Sequence, residues 1–451
     1  MEEESDNTMD SPETSPVGFA RRFTSTLRRD AGRMFTVGVP HLFAAMALTQ
    51  GIGMLRRILL ARILDVDELG QMTYVMRIVD FIAIVADIGI SNAVLKYAAE
   101  PVGVEQKRRI YVAGLIGGSV VATVVALLYM AGAWYTDVHD DPDIRLFMLM
   151  VVPYLPLSAV VRTPIVYMQA CKEVKKAARY TALTAALSLV LIVAATYWKG
   201  LPGFFVTVTF APLCNLVVLL FVTRRELSWH RPAWNLLKRL SSFGSFSMLS
   251  QATEVAGATV TVVLLRTMTH SDYEVGLYSI GLVVMVNIRL IPLALMRAAF
   301  PYLAGLVEDT TRFSQRLREL SLKQTAVMIG IVAGWAVLGY YAIILVFGSR
   351  YADSFCSSAV LVLAVIPLSM SVPWARAIAI LDKMQWNLAA SVIQLTTNVL
   401  ACLWLVPIFG ATGAALALVM GEAVGSGIRL IVGRILVSKT SSVSKDGNAV
   451  N

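Results

Sequence analysis

Long apolar stretches, separated by short polar joints, fill almost the whole chain. Twelve of them approach or exceed the roughly 20 residues that a helix needs to cross about 30 Å of hydrocarbon. They cover residues 34–60, 70–95, 110–135, 146–170, 180–198, 203–223, 243–268, 275–303, 323–347, 354–380, 387–407 and 411–436. The pattern predicts an all-α polytopic membrane protein with twelve transmembrane helices.

Composition and charge add an orientation to this prediction. Hydrophobic residues make up 57% of the chain and charged residues 15%, which is far from the balance of a soluble domain. The net charge of +9 comes from every second joint, because the intervening joints hold only three basic residues, Arg145, Lys199 and Arg350. By the positive-inside rule both termini are cytoplasmic and the protein lies in the cell membrane. The basic residues therefore indicate how the protein is oriented among the membrane lipids, and we expect no nucleic-acid partner.

An internal repeat organises the spans. Gly70 and Gly276 each follow an acidic turn and are 206 residues apart, while Gly200 and Gly410 stand before the last span of each half. Six spans per half give parallel repeats, with a cavity between two bundles near the middle of the bilayer. The predicted domains are a cytoplasmic tail (1–33), an N-lobe (34–223), a cytoplasmic linker (224–242), a C-lobe (243–437) and a C-terminal tail (438–451).

Two segments resemble a known family. The run ARILDVDELGQMTYVMRIVDFIAIVADIGISNA, which starts at Ala61, is similar to the N-terminal signature of Wzx-type polysaccharide flippases, and PIFGATGAALA (407–417) resembles that family's last helix. The resemblance covers 34–436. It implies the V-shaped fold of the multidrug, oligosaccharidyl-lipid and polysaccharide exporter superfamily. It also implies a flippase that moves a polyprenyl-phosphate-linked oligosaccharide to the outer leaflet, beside a polymerase or ligase of the same pathway.

Charged residues inside the predicted spans are the candidate site residues, because a charge at the bilayer centre must face a cavity or a partner. Lys323, Arg376 and Arg434 lie near span ends and are assigned to the joints. The other basic ones are all arginines, namely Arg56, Arg57, Arg77, Arg162, Arg266, Arg289, Arg297 and Arg429. The acidic ones are Asp80, Asp87, Glu254 and Glu422. An arginine-rich lumen suits a phosphate-bearing substrate. Arg57, Arg289 and Arg297 are the main candidates, supported by Arg56, Arg77 and Arg162, with the four carboxylates as charge partners or as sites for a coupling H⁺ or Na⁺.

Structural interpretations of several residues stay open. Arg266 lies near a span end, where its side chain can anchor at the interface, and Arg77 can pair with Asp80 within one helix. Arg162 stands two residues before Pro164 and can bind carbonyls that the proline frees. We also expect Asn287 and Pro292 to distort span 8, and four prolines to kink spans 4 and 10, namely Pro153, Pro156, Pro367 and Pro373.

Two other function classes compete with the flippase. A multidrug-type antiporter of the same fold would export cations in exchange for sodium or protons, with Asp87 or Glu254 as its coupling site. A membrane enzyme of polysaccharide synthesis is disfavoured, because the longest outer joint has about ten residues. No Walker A sequence or histidine cluster with ligand spacing occurs in the sequence, so we expect no catalytic residues, cofactor or metal.

Overall fold

The computed structural model describes residues 39–135, 141–223, 234–304, 306 and 310–447, and all regular structure in them is helical. The helices are α1 (Val39–Ile63), α2 (Val66–Asp87), α3 (Ile90–Ala99), α4 (Val104–Tyr135), α5 (Pro142–Met150), α6 (Tyr154–Ala170), α7 (Val174–Thr223), α8 (Trp234–Thr269), α9 (Asp272–Ala304), α10 (Thr310–Val346), α11 (Ser354–Leu363), α12 (Val365–Ile380) and α13 (Met384–Gly447), with a 3-10 turn at Ser349–Tyr351. The predicted N-terminal tail and residues 224–233 of the predicted linker lie outside the described residues.

Eight stretches of the described chain are long and apolar enough to cross a membrane. Two of them, Lys175–Leu219 and Met384–Ser438, each contain two predicted spans. Predicted span 1 corresponds to α1 and span 7 to α8, whose apolar part is Val255–Thr269. The all-α membrane fold is confirmed, while the count of twelve spans stays a prediction.

The helices α7 and α13 are each two antiparallel arms that meet at a glycine. Gly200 has φ +59° and ψ −144°, and Gly410 has φ +53° and ψ −129°, conformations that only glycine adopts without strain. The chain reverses there, since a Cβ on Gly203 would lie 2.3 Å from the carbonyl oxygen of Ala195. These reversals separate predicted spans 5 and 6, and spans 11 and 12.

Three other predicted spans differ from the structure. Span 2 was expected to be one helix, but it breaks after Asp87, where Ile88 and Gly89 have φ values of 40° and 65°. Span 4 breaks beside Pro153, and span 10 breaks at Ala364, three residues before Pro367. The helix α9 continues through Asn287 and Pro292 without a break, and the predicted distortion of span 8 at these residues stays a prediction. The side-chain amide of Asn287 donates to the Val283 carbonyl, at 2.7 Å.

Several helices extend past the apolar spans that predicted them. Predicted span 9 begins at residue 323, but α10 begins at Thr310, and α13 runs to Gly447 instead of ending at 436. Similarly, α8 begins at Trp234, inside the predicted linker. Polar residues such as lysine, arginine and glutamine propagate a helix well, so hydropathy marks only the part of each helix that suits hydrocarbon.

The repeat glycines bring the two halves of the chain (39–223 and 234–447) into backbone contact. A Cβ on Gly70 would lie 1.9 Å from the Asp272 carbonyl oxygen, and a Cβ on Gly276 would lie 2.1 Å from the Val66 carbonyl oxygen. The contacts are reciprocal, because Asp272 lies 206 residues after Val66, as Gly276 does after Gly70. The helices α2 and α9 therefore cross around an approximate twofold axis. We call this end of the bundle the closed end.

Candidate substrate-binding site

A cavity of about 450 Å³ lies mainly inside the first half of the chain. Its walls come from α1, α2, α6 and both arms of α7, and α9 lines one side through residues 279–283. The charged side chains that line it are Arg56, Arg57, Arg77, Asp80 and Arg162. Five of the candidate residues from the sequence therefore line one cavity, and their role in binding stays a prediction.

Most of these charges have no partner among the described residues. Among the residues that the structure describes, the side chains of Arg56, Arg57, Arg77 and Asp80 form no hydrogen bond or ion pair. The expected Arg77–Asp80 pair within α2 is thus not formed. Arg57 lies within electrostatic range of Arg77, Arg56 and Asp80. Arginines held close together in a membrane protein repel one another, so an anion in this cavity would relieve that repulsion.

Arg162 has a partner at the break between α2 and α3. Its Nη1 lies 3.9 Å from Oδ2 of Asp87, whose other carboxylate oxygen accepts a 2.6 Å hydrogen bond from the Ser91 hydroxyl. Asp87 is buried, whereas Arg162 is exposed to the cavity. Asp87 therefore fixes the helix break and orients Arg162, and it does not face the cavity itself.

A second cavity of about 400 Å³ lies in the second half of the chain, between α8, α9, α12 and α13. Its charged lining residues are Arg77, Arg289, Arg376, Glu422 and Arg429. Arg77 is shared with the first cavity. The Thr259 hydroxyl donates to the Arg77 carbonyl oxygen, at 3.3 Å, and so ties α8 to α2 at this junction.

Glu422 and Arg429 are joined through a third residue. The Gln394 amide nitrogen donates to Glu422, at 2.8 Å, and the Gln394 amide oxygen accepts from Arg429, at 3.0 Å. The second carboxylate oxygen of Glu422 accepts from Ser426, whose hydroxyl lies 3.0 Å from that of Ser371. Glu422, Ser426 and Arg429 thus belong to one hydrogen-bonded network that includes both arms of α13, and Glu422 and Ser426 are buried in it.

The remaining candidates lie elsewhere or outside the described part. The side chains of Arg297 and Glu254 are not among those that the structure describes. Arg376 was assigned to a joint by the sequence pattern, yet it lines the second cavity. The sequence signal that could have identified Arg376 as a lining residue is its position inside a predicted span, four residues before that span ends.

The closed end carries two clusters of polar contacts between the halves. In one, Arg350 contacts Asp65, at 2.6 Å, and the Tyr351 hydroxyl donates to the Leu64 carbonyl, at 3.1 Å. Burial raises the pKa of Tyr351 above its usual range, which keeps the hydroxyl a donor. Arg62 also donates to the Val346 carbonyl, at 2.8 Å.

In the other cluster, Arg266 contacts Asp272, at 2.6 Å, and Asp141 of the first half, at 3.8 Å. Its guanidinium also lies 4.8 Å from the centre of the Tyr74 ring. Gln71 donates to Asp272, at 3.0 Å. Arg266 therefore holds the halves together and is not among the lining residues of either cavity, while its anchoring at the membrane interface stays a prediction.

Solved structures show which fold the chain has. An inward-facing MATE-family multidrug resistance transporter of the MOP superfamily superposes with a TM-score of 0.74 at 12% identity, over 89% of this chain and 99% of that one. An outward-facing member of that family gives 0.65 at 12% identity, over 90% and 96%. The lipid II flippase MurJ, in an inward closed conformation, gives 0.63 at 15% identity, over 89% and 90%. The protein is thus a multi-pass membrane protein with the MATE transporter fold.

The family follows from the sequence itself. The model of the family described as polysaccharide biosynthesis protein matches residues 36–307. This is more than half of the chain, and the protein belongs to that family. A search of curated proteins gives no match. The structural relatives given above are named as transporters or as a flippase.

Proposed function

We propose that this protein is a flippase that moves a polyprenyl-phosphate-linked oligosaccharide from the cytoplasmic to the outer leaflet of the cell membrane, for export of a cell-surface polysaccharide. The observation that carries the proposal is the first cavity, where four arginines face one exposed carboxylate, Asp80. One guanidinium group can donate two parallel hydrogen bonds to two oxygens of a phosphate, because its N–H donors form a planar fork. Membership of the polysaccharide biosynthesis family supports a glycan-bearing cargo.

In this proposal Arg56, Arg57 and Arg77 hold the diphosphate of the carrier lipid, and Arg162 extends the same wall. Arg289 acts from the second cavity. Arg297 remains a proposed substrate-binding residue on the strength of the sequence alone. The lipid tail would stay in the membrane, because only the charged head requires a polar route across the hydrocarbon.

The arrangement of the halves supports the proposal that transport occurs by alternating access. We assign the closed end to the outer face and both termini to the cytoplasm, as the charge pattern predicts. The structure then represents a state closed toward the outside, which agrees with the higher TM-score to the inward-facing than to the outward-facing transporter. A coupling H⁺ or Na⁺ would bind at Asp80 or Glu422. Asp87 would act as the charge partner of Arg162. Glu254 remains a proposed coupling site on the strength of the sequence alone. A polymerase or ligase would consume the exported product.

The second candidate function is a multidrug-type cation antiporter. One observation favours it, since the Asp80 carboxylate is exposed to the first cavity and has no ion-pair partner among the described residues. The surrounding arginines oppose it, because they repel a cationic cargo as it approaches Asp80.

Arginine substitutions in reconstituted vesicles distinguish the two functions. The protein would be tested for the flipping of fluorescent undecaprenyl diphosphate and for the export of ethidium, with Arg57→Gln, Arg57→Lys and Asp80→Asn as variants. The flippase proposal expects Arg57→Gln to abolish lipid flipping and Arg57→Lys to restore part of it, because lysine keeps the charge but loses the fork. Ethidium export that Asp80→Asn abolishes, with no lipid flipping by the wild type, would establish the antiporter instead. Membrane abundance of each variant separates loss of transport from loss of folding.

A further inference from the structure

Both cavities are lined by four arginines and one carboxylate. The second cavity also has a row of uncharged hydrogen-bonding side chains along one wall. These belong to the first arm of α13, residues 384–409, and are Asn387, Ser391, Gln394 and Asn398. Their spacing of four, three and four residues places them on one face of that helix. The protein therefore presents a continuous stripe of amides and hydroxyls to the second cavity.

Hydrogen bonds fix the orientation of this stripe. The Asn398 amide oxygen accepts from the Thr261 hydroxyl, at 3.0 Å, and from the Cys402 thiol, at 3.3 Å. Within the described residues, the amide nitrogen of Asn398 has no hydrogen-bond acceptor. Gln394 is held between Glu422 and Arg429. Because their orientations are set by the protein, these groups form a pattern of donors and acceptors that is ready before a ligand arrives.

The position of the stripe is fixed as closely as its orientation. The second arm of α13 packs against it through glycines, because a Cβ on Gly425 would lie 2.5 Å from the Gln394 amide oxygen, and one on Gly421 would lie 2.8 Å from the Gln394 carbonyl oxygen. The helix α9 contributes apolar side chains to the same cavity, Leu282 and Met285 among them, beside Arg289. A cavity that combines a row of hydrogen-bonding groups with apolar surface matches a pyranose ring, which has hydroxyls at its edge and C–H groups on its faces.

Arg77 connects the two cavities. It lines both cavities, so a diphosphate bound in the first cavity would have its sugar-bearing end at the opening of the second. The second volume, about 400 Å³, lies in the range of roughly 300–1,000 Å³ that small-molecule sites occupy.

We propose that the second cavity binds the sugar residues nearest the diphosphate, and that Asn387, Gln394 and Asn398 determine which glycan the protein accepts. This inference rests on the proposed function, since the sugar enters only with the lipid diphosphate. A site built to hydrogen-bond a ligand rejects an analogue that lacks those groups, because its own polar groups are left unpaired.

Binding of two lipids to the purified full-length protein tests the inference. One probe is synthetic undecaprenyl diphosphate, and the other is the lipid-linked oligosaccharide fraction extracted from the protein's native membranes. Each is scored by displacement of fluorescent undecaprenyl phosphate. The wild type should prefer the glycan-bearing lipid by at least about tenfold, which a few hydrogen bonds supply. Asn387→Leu and Gln394→Met should each lose most of that preference and keep their affinity for undecaprenyl diphosphate.

Matched variants keep the outcomes distinct. Arg57→Gln should weaken binding of both lipids, while Thr396→Val, on the exposed side of the same helix arm, should change neither. Gln394 belongs to the Glu422 network, so thermal unfolding is measured for its variant, and Asn387→Leu, outside that network, provides the independent result. Equal binding of the two lipids by the wild type, or an unchanged preference in a folded Asn387→Leu variant, would overturn the inference. Failure of both lipids to bind the wild type would refute the proposed function as well.

Discussion

Replacing Gly70 with alanine is expected to push the closed end of the protein open. The new Cβ would lie 1.9 Å from the Asp272 carbonyl oxygen, whereas ordinary van der Waals contact begins at 3.4 Å. The backbones of α2 and α9 would therefore have to separate by about 1.5 Å at this point, as the difference between those distances requires. The obstacle is backbone, so no side chain can rotate to relieve the contact.

The size of the effect follows from the cost of overpacking. Extra carbon in a close-packed contact costs about 1–3 kcal/mol, and the cost applies only to the state in which α2 and α9 touch. The ratio of closed to open protein should therefore fall by about 5- to 150-fold. Gly276→Ala should have the same effect, because its Cβ would lie 2.1 Å from the Val66 carbonyl oxygen.

Cysteine labelling measures this ratio directly. Thr73 lies one turn after Gly70 and lines the first cavity, so Thr73→Cys reports whether reagent can enter through the closed end. The background would lack the four native cysteines, Cys171, Cys214, Cys356 and Cys402. A membrane-impermeant maleimide added on the closed-end side should label the Gly70→Ala protein faster, by the factor given above.

A glycine in open surroundings provides the control. Nothing lies within 4 Å of a Cβ on Gly334, so Gly334→Ala should label at the wild-type rate. Labelling of Gly70→Ala and Gly276→Ala at the wild-type rate, with normal membrane abundance, would refute the argument that these glycines hold the closed end shut.

Two further predictions concern the closed end and the helix reversals. Because the Arg350 and Asp65 side chains are 43% and 78% exposed, Asp65→Ala should speed labelling by only a few fold, the effect of about 0.2–1 kcal/mol. The reversed pair, Asp65→Arg with Arg350→Asp, should restore the slow wild-type labelling rate in low salt. If the reversed pair labels as fast as Asp65→Ala, the ion pair contributes nothing to closure. Alanine at Gly410 should lower the thermal unfolding temperature more than alanine at Gly200. Both backbones are strained for alanine, but only at Gly410 would the Cβ also clash, at 2.6 Å from a Glu274 carboxylate oxygen, against 3.8 Å to the nearest atom at Gly200. Equal decreases in the thermal unfolding temperature would show that backbone strain alone determines the loss of stability.

Hydropathy and charge predicted the parts of the protein that depend on local composition. The apolar runs gave the helices, and the spacing of Gly70 and Gly276 gave the repeat whose backbone contact the structure shows. The break after Asp87 was missed, because the apolar run continues through Ile88 and Gly89 without a polar joint. Hydropathy carries no information about backbone conformation, so it cannot detect two consecutive residues with left-handed φ values.

The division of the arginines between two cavities also could not be predicted. Helical spacing places Arg77 and Arg289 each on a polar face, but it does not say which faces meet. That depends on how α9 packs against α2, which is a long-range contact. Arg376 was missed for a related reason, since a residue near a span end faces solvent or a cavity according to the depth of that cavity.

The polar clusters at the closed end bear on how the duplicated halves recognise each other. The joint before α5 contributes an acid, Asp141, to Arg266, while the equivalent joint before α11 contributes a base, Arg350, to Asp65. Each of these ion pairs joins an acid of the first half to an arginine of the second half. The repeat does not supply the missing partners, because at its spacing of 206 residues Arg266 corresponds to Leu60 and Asp65 to Ser271. Two identical copies of either half would therefore lack one partner of each pair, and these contacts favour pairing of unlike halves.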